Sequence, residues 1–397
     1  MLDIDSSTSE NGARQNGVDY AAGLRRASWA FTTRRVRRAT ALGLSKLTPP
    51  NAGDLVLARV NAVGYHSALQ LIDGRRKHLF VDDEIVVAYG NRYAPNQFEA
   101  VVPKTLGPCQ LVAAGGVAGK VLSSHSSLSK GATEITPLGL LVGANLEPVN
   151  LRDFALPAVE ELPSKRPPIL AVVGTAMDSG KTQTAAYLVR GLAQAGKRVG
   201  YAKITGTGSG NDTWFLKDAG ANPVLDFSDA GHVSTYLVPP AEMQRVFITL
   251  LAHLIRAKVE AIVLEIADGV LQGETDLLLS SKAFHEYVDG ILFAACDAMG
   301  AVAGDRWLTG RNLPLIALGG VLTASPLQRA EAGIATGLPV YSRQDLAHAR
   351  TANALLSAAD LARADGTPLS ARRRGLESQP PIVIDSSEDP LVSSVGA

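Results

Sequence analysis

Apolar residues fall along this chain in two rhythms. From Gly53 to about residue 145 they form short runs at strand period, among them DLVLARVNAV, SALQLID, KHLFV, DEIVVAYG, FEAVVP and CQLVAAGGVAGKVL, parted by turn signals at Asp73-Gly74, Gly90-Asn91 and Pro95-Asn96. Such spacing predicts a small β-barrel or β-sandwich without a helix. Beyond Pro168 the rhythm becomes strand then helix. Strands are expected over 169–173, 198–204, 223–227, 261–266, 290–295 and 313–318, with a last short one at Val340-Tyr341; helices are expected over 181–195, 241–258 and 344–364. This alternation predicts an α/β unit with a mostly parallel sheet and right-handed crossovers.

Composition divides the chain further. At 397 residues it is longer than one typical domain. The division expected is a tail and basic arm over 1–50, a β-rich domain over 51–155, a proline-rich linker over 156–168, the α/β domain over 169–366 and a C-terminal tail over 367–397. Residues 1–20 are polar and aperiodic, which predicts disorder. Residues 24–38, LRRASWAFTTRRVRR, cluster six arginines around Trp29, Phe31 and Val36. They read as a basic helix or arm for a polyanion or acidic partner, or as a solvated face whose aromatic residues dock on the body.

Charge and cysteine usage bound the partners. Lys+Arg and Asp+Glu stand at 38 each, so there is no overall bias toward nucleic acid or membrane. Cys109 and Cys296 are far apart and lack zinc spacing; two buried thiols are expected. With no secretory pattern at the N-terminus and no apolar run of membrane length, a soluble cytoplasmic setting is expected. His66, His78 and His125 are irregularly spaced, and Ser123–Ser127 around His125 reads as a polar loop, since neighbouring residues of an extended chain point to opposite faces.

Chemistry concentrates at 169–185, ILAVVGTAMDSGKTQTA. A buried strand breaks at Gly174 into Gly180-Lys181-Thr182 and then a helix, which is the context of a phosphate-binding loop. Glycines let backbone N–H groups turn inward, the helix N-terminus favours anions, the lysine reaches terminal phosphates and the hydroxyl suits magnesium. The usual loop has four residues between its glycines; Gly174 and Gly180 enclose five. Downstream, Glu265 interrupts the apolar run AIVLEI, with Asp268-Gly269 just beyond, and a carboxylate at that strand end is placed to organise the metal.

The wording GTAMDSGKT resembles the elongated phosphate loop of the dethiobiotin synthetase family, within the larger class of MinD-like, signal-recognition-like and cobyric-acid-synthase-like P-loop proteins. The likeness continues through Gln194–Tyr201 into Lys203 and covers roughly 168–345. The same region resembles the domain-of-unknown-function family 1611, whose DF-x-x-x-G segment is loosely matched at 226–231. The resemblance implies a P-loop NTPase using ATP and Mg²⁺, with Lys181, Lys203 and Glu265 catalytic. It implies that Gly174, Thr175, Asp178, Ser179, Gly180, Lys181, Thr182 and Gln183 cradle the phosphates, and that Thr323 and Ser325 lie near the base. Thr182 and Glu265 would serve the metal, with either Asp212 or Asp226. Thr175 and Ala176 stand where the MinD type carries its extra lysine, which disfavours a lysine finger acting in trans.

The reading that follows is a Mg-dependent ATPase that transfers the γ-phosphoryl group to a small carboxylate or carbamate, ligase-like, with an amine as the later nucleophile; Thr207 and Ser209 would grip the acceptor. A homodimer is expected, with no membrane partner. The alternative is a nucleotide-gated switch or assembly ATPase that engages a macromolecule through the β-rich region and the arginine arm, with 206–212 as the switch.

Overall fold

A computed structural model describes residues 23–365. The expectations for 1–20 and from 367 onward, including Arg372–Arg374, fall outside the described residues. Among these no helix is long and apolar enough to cross a membrane.

The first region contains β1 (Ser28–Trp29), β2 (Gly43–Ser45), β3 (Leu55–Ala62), β4 (Ala68–Gln70), β5 (Arg76–His78), β6 (Glu84–Tyr89), β7 (Phe98–Val101), β8 (Cys109–Ala113), β9 (Val117–Ser124) and β10 (Thr133–Val142). Eight of them make a mixed sheet in the order β1-β6-β3-β10-β8-β9-β7, with β2 on β10. A parallel pairing, Ala88 to Val117 and Tyr89 to Ala118, brings β9 back onto β6. β4 and β5 form a separate hairpin across Asp73-Gly74.

Both faces of these strands are apolar. Leu55, Leu57, Val86 and Ala88 join one core, whereas their sequence neighbours Val56, Ala58, Ile85 and Val87 join another. Successive residues point to opposite sides of a strand, so runs such as EIVVAYG require cover on both. The arginine-rich segment supplies part of it: Trp29 and Val36 lie in the first core, and Ala30 in the second.

Of the two expectations for 24–38, the structure shows the docked one, with the aromatic residues packed on the body. Residues 28–29 are a sheet strand, not part of a free helix, and Arg38 stacks on Trp29 while Arg34 stacks on Phe31, with 5.2 and 4.3 Å to the ring centres. Arg34 pairs with Asp226 at 3.1 Å and Asp229 at 2.9 Å; Arg35 pairs with Asp229 at 3.4 Å. The charges of Arg34 and Arg35 thus cross to the second region, while Arg25, Arg26, Arg37 and Arg38 are exposed.

The second region is a six-stranded all-parallel sheet of β11 (Ile169–Gly174), β12 (Val199–Lys203), β13 (Val224–Asp226), β14 (Ala261–Glu265), β15 (Gly290–Ala294) and β16 (Leu315–Gly319), in the order β13-β12-β14-β11-β15-β16. Its helices are α1 (Lys181–Gln194), α2 (Gly210–Ala219), α3 (Pro240–Arg256), α4 (Gly273–Leu279), α5 (Lys282–Tyr287), α6 (Ala298–Thr309), α7 (Pro326–Thr336), α8 (Arg343–Ala347) and α9 (Ala349–Asp365). Ala171 and Val173 face α3, while Leu170 and Val172 face α1 and α9, so helices cover both sides. This is an α/β arrangement, a parallel sheet with helices on both faces.

Three local expectations change. Val340 makes only one bridge, to Leu318, instead of a strand. The closing helix divides at His348, whose extended backbone (φ −72°, ψ 129°) ends α8, itself started by a Ser342–Asp345 capping box. Residues 156–168 have no regular structure yet lie against the body: the Leu156 N–H donates to Asp229, and Leu156, Val159 and Leu162 pack on the sheet core.

Removing one member of a buried ion network strands the charges left behind. Arg34→Ala is expected to cost about 3 kcal/mol or more of stability. A denaturant-melt midpoint within error of wild type would contradict this role for Arg34.

Candidate functional site

At the carboxyl edge of the parallel sheet lies a cavity of about 720 Å³, walled on one side by the loop after β11 and on the other by residues of the β-rich region. Ligands of open α/β sheets bind at such an edge. The Ile169–Gly174 strand delivers the chain into a loop folded too tightly for side chains at its glycines. A Cβ on Gly174 would sit 2.5 Å from the Ser179 hydroxyl and 2.6 Å from the Ala294 carbonyl. Asp178 and Gly180 have φ of +64° and +93°, and Gly180 caps α1 without a side-chain acceptor. The first N–H groups of α1 thus remain available to an anion.

Lys181 is buried and bends back over its own loop, donating to the Ala176 carbonyl at 2.6 Å, with the Ser179 hydroxyl at 3.5 Å. Burial lowers its pKa, partly opposed by Glu265 and Asp268. The Thr182 hydroxyl donates to Glu265 Oε1 at 3.0 Å, and the Tyr201 hydroxyl donates to Oε2 at 2.8 Å. Lys203 Nζ is 3.3 Å from the same Oε1 and pairs also with Asp212. Burial opposes the charge on Glu265, yet Lys203, Tyr201, Lys181 and Thr182 together hold its carboxyl below the usual range. Burial likewise opposes the Lys203 charge, and Asp212 and Glu265 override it, raising its pKa well above the usual value.

Of the residues expected to cradle phosphates, Asp178, Gly180, Lys181, Thr182 and Gln183 line the cavity. Gly174, Thr175 and Ser179 shape the loop instead: Thr175 bonds the Ala294 carbonyl, and Ser179 is fully buried beneath it. Thr207, Ser209, Lys203, Asp212 and Glu265 also line the cavity. Asp226 does not: Arg34 and Ser228 hold it in the inter-region network, which corrects its assignment to the metal. Thr323 and Ser325 are likewise outside the cavity wall. The Thr323 hydroxyl turns back to the Gly320 carbonyl, and Ser325 caps α7. The loop expected over 206–212 becomes helix at Gly210. Cys109 is buried as expected, but Cys296 is exposed, 3.5 Å from Thr175.

Among the described residues no group of three or more His, Cys, Asp and Glu is placed to hold a metal. The donor set at the loop is one hydroxyl with nearby carboxylates, Thr182, Glu265 and Asp212. That set suits Mg²⁺, which takes few protein ligands and completes its shell with phosphate oxygens and water.

Several contributors carry weaker sequence signals. Tyr201 precedes Lys203 by two, and strand periodicity places both on one side of β12. Asp268 reaches the cavity from a turn with φ +64°. Burial pushes its carboxyl up to about 6, against Lys181, Lys203 and Arg92. Asn96, from a turn of the β-rich region, donates to Asp178 at 2.7 Å. Nothing in its local sequence marks that contact.

No family model matches this chain, and neither does any curated protein sequence. Among solved structures it is similar to chloroplast FtsY from Physcomitrella patens, at 14% identity and TM-score 0.34, over 53% of this chain and 70% of that one. Signal recognition particle receptor FtsY from Elizabethkingia anophelis is similar at 15% identity and TM-score 0.34, over 49% and 67%. The signal recognition particle 54 kDa protein from Aeropyrum pernix K1, solved with GDP, shows 21% identity and TM-score 0.34, and the matched region covers 54% of this chain and 51% of that one. At such scores the likeness is distant, and the functional reading rests on the geometry of this chain.

A carboxyl whose pKa rises from an ordinary 3.8 to about 6 on folding binds protons more tightly folded than unfolded. Its contribution is then favourable at low pH and is lost as pH rises through about 6, by on the order of 2–3 kcal/mol. Asp268→Asn is expected to gain stability relative to wild type between pH 4 and 7. A melting-temperature difference that stays flat across that interval would contradict the shift.

Proposed function

We propose that the cavity binds a nucleoside triphosphate with Mg²⁺ and cleaves its γ-phosphoryl group. The observation that supports this most is the convergence of Lys181, Thr182, Lys203 and Glu265 on one cavity at the end of β11. In this reading the N–H groups of residues 178–182 and the α1 N-terminus receive the phosphates, and Lys181 leaves the Ala176 carbonyl for them. Thr182 and Asp212, with Glu265 behind Thr182, hold the metal, which neutralises charge on the phosphate oxygens. Lys203 adds positive charge opposite Lys181. Phosphoryl transfer needs chiefly positioning and charge neutralisation, which these groups are suited to supply.

The finer reading is ligase-like. An acceptor carboxylate or carbamate oxygen forms a bond to the γ-phosphorus as the bond to the β,γ-bridging oxygen breaks. A nucleoside diphosphate leaves and an acyl or carbamoyl phosphate remains for a nucleophile such as an amine. A cavity of this size with a polar second wall suits a small second substrate. Thr207 and Ser209 stand on the wall to contact it. The absence of an Asn-Lys-x-Asp motif favours ATP as the nucleotide. We further read 51–155, with β1 and β2 added to its sheet, as a small β-barrel or β-sandwich domain and 169–366 as the nucleotide domain.

A second reading, the nucleotide-gated switch, is favoured by how the 206–212 segment meets the β-rich region. Gln70 accepts from the Gly210 N–H at 2.8 Å and donates to Asn211 at 3.2 Å. A Cβ on Gly115 would lie 2.0 Å from the Gly208 carbonyl. A loop that senses phosphates would pass its movement directly into the β-rich region. Diphosphate release accelerated stoichiometrically by a small carboxylate supports the ligase-like reading; stimulation only by a protein or nucleic acid supports the switch.

Lys181→Ala is expected to reduce nucleotide turnover by on the order of 10²–10³ or more while the circular-dichroism spectrum and melting cooperativity stay those of wild type. Undiminished turnover in a folded Lys181→Ala chain would remove this site from the reaction.

A further inference from the structure

Besides Lys181, the cavity wall holds a second buried cation, Arg92. Among the described residues, Arg92 and Lys181 are the only lysine and arginine residues in the buried class, at 5% and 6% exposure, and both line this cavity. Neither has a carboxylate within ion-pair distance among the described residues. The chain does not treat other sheltered cations this way: Arg34 has two aspartates, Arg166 has Asp289 and Lys203 has Asp212 and Glu265. An unpaired buried charge is costly, so a native chain that keeps one generally uses it.

Arg92 is under-satisfied in detail. Its backbone is fixed by paired hydrogen bonds with Ala100, so the side chain starts from a rigid point. Nη2 donates to Gln97 at 2.6 Å, Nη1 lies 3.2 Å from His66 Nε2, and Nε has no partner. His66 Nε2 also lies 2.9 Å from the Val112 carbonyl. Burial, then Arg92 and Arg76, push the His66 pKa down to about 3, so the ring is neutral and its Nε2 cannot donate to the carbonyl and accept from Arg92 together. A guanidinium has five N–H donors in a planar fork, and at most two are used here. Asp268 lines the same cavity, and Lys181, Lys203 and Arg92 all favour its charged form.

We propose that Arg92 anchors a carboxylate of the second substrate, seated in the β-rich wall opposite the phosphate loop. The proposal rests on the nucleotide reading for its chemistry, and it makes the site composite: one region holds the phosphates and the other selects the acceptor. Nε is sealed from the cavity, so the unused N–H groups on Nη1 and Nη2 are the ones a planar oxyanion would match, as a ring or alkyl group does not.

The test uses the full chain and three probes, oxalate, succinate and glutarate, with inorganic phosphate as the comparison anion. Each is titrated by thermal shift with and without saturating Mg·ADP. At least one carboxylate should stabilise the wild-type chain, and its apparent affinity should fall tenfold or more in both Arg92→Met and Arg92→Lys, with ADP affinity within about twofold. Arg92→Lys keeps the charge and loses the fork, so it carries the test if the methionine variant does not fold. No stabilisation of wild type by any carboxylate, equal affinity in the variants, or stabilisation by phosphate alone would each overturn the proposal. Failure of the nucleotide reading is separate: Mg·ADP would then not bind wild type, whatever the carboxylate titrations show.

Discussion

Taking a carboxylate out of water costs several kcal/mol unless donors replace the lost hydration, and the organisation of this site depends on how Glu265 meets that cost. It stands at the end of β14, paired in register with Val172 of β11 and Lys203 of β12. Thr182 from α1, and Tyr201 and Lys203 from β12, give it three donors from two elements. The carboxylate thus ties the phosphate loop to the second strand, and Lys203 extends the tie to Asp212 on α2. The parallel register brings these groups to one sheet edge, and their mutual satisfaction keeps them charged there.

A second constraint joins the two regions. Arg34 reaches from the β-rich side into the turn after β13, and Asn96 touches Asp178 of the loop itself. These contacts make the cavity an inter-region site, with Arg92 and Lys181 as buried cations on opposite walls. The sheltered cations paired with carboxylates, such as Arg34 and Arg166, fasten the structure. The two without such partners face the cavity.

The sequence made the α/β half legible because its cues are local. The phosphate loop, the helix after it and the strands around it follow from apolar runs, glycines and turn residues. Lys181, Thr182 and Glu265 could be named because each stands at a strand end or loop position with its own signal, whereas Lys203 came only from the family resemblance. The misplaced residues fail for non-local reasons. Asp226 stood at a strand end like Glu265, but Arg34, 192 positions away, claims it. Thr323 and Ser325 looked like pocket residues, yet local backbone bonding uses them. The arginine segment could be read as free or docked because its ion-pair partners lie in another region, and Arg92 has no mark in sequence, since burial without a carboxylate partner is a property of the folded chain.

The central claim is that Lys181 and the loop before it receive the terminal phosphates, with Thr182 at the metal. A crystal structure of the chain with Mg²⁺ and a non-hydrolysable ATP analogue tests it most directly. The account predicts phosphate oxygens on the N–H groups of residues 178–182, Lys181 Nζ moved from the Ala176 carbonyl to the phosphates, and Thr182 turned from Glu265 to the metal. An analogue bound elsewhere, or one bound with Lys181 still on the Ala176 carbonyl, would contradict it.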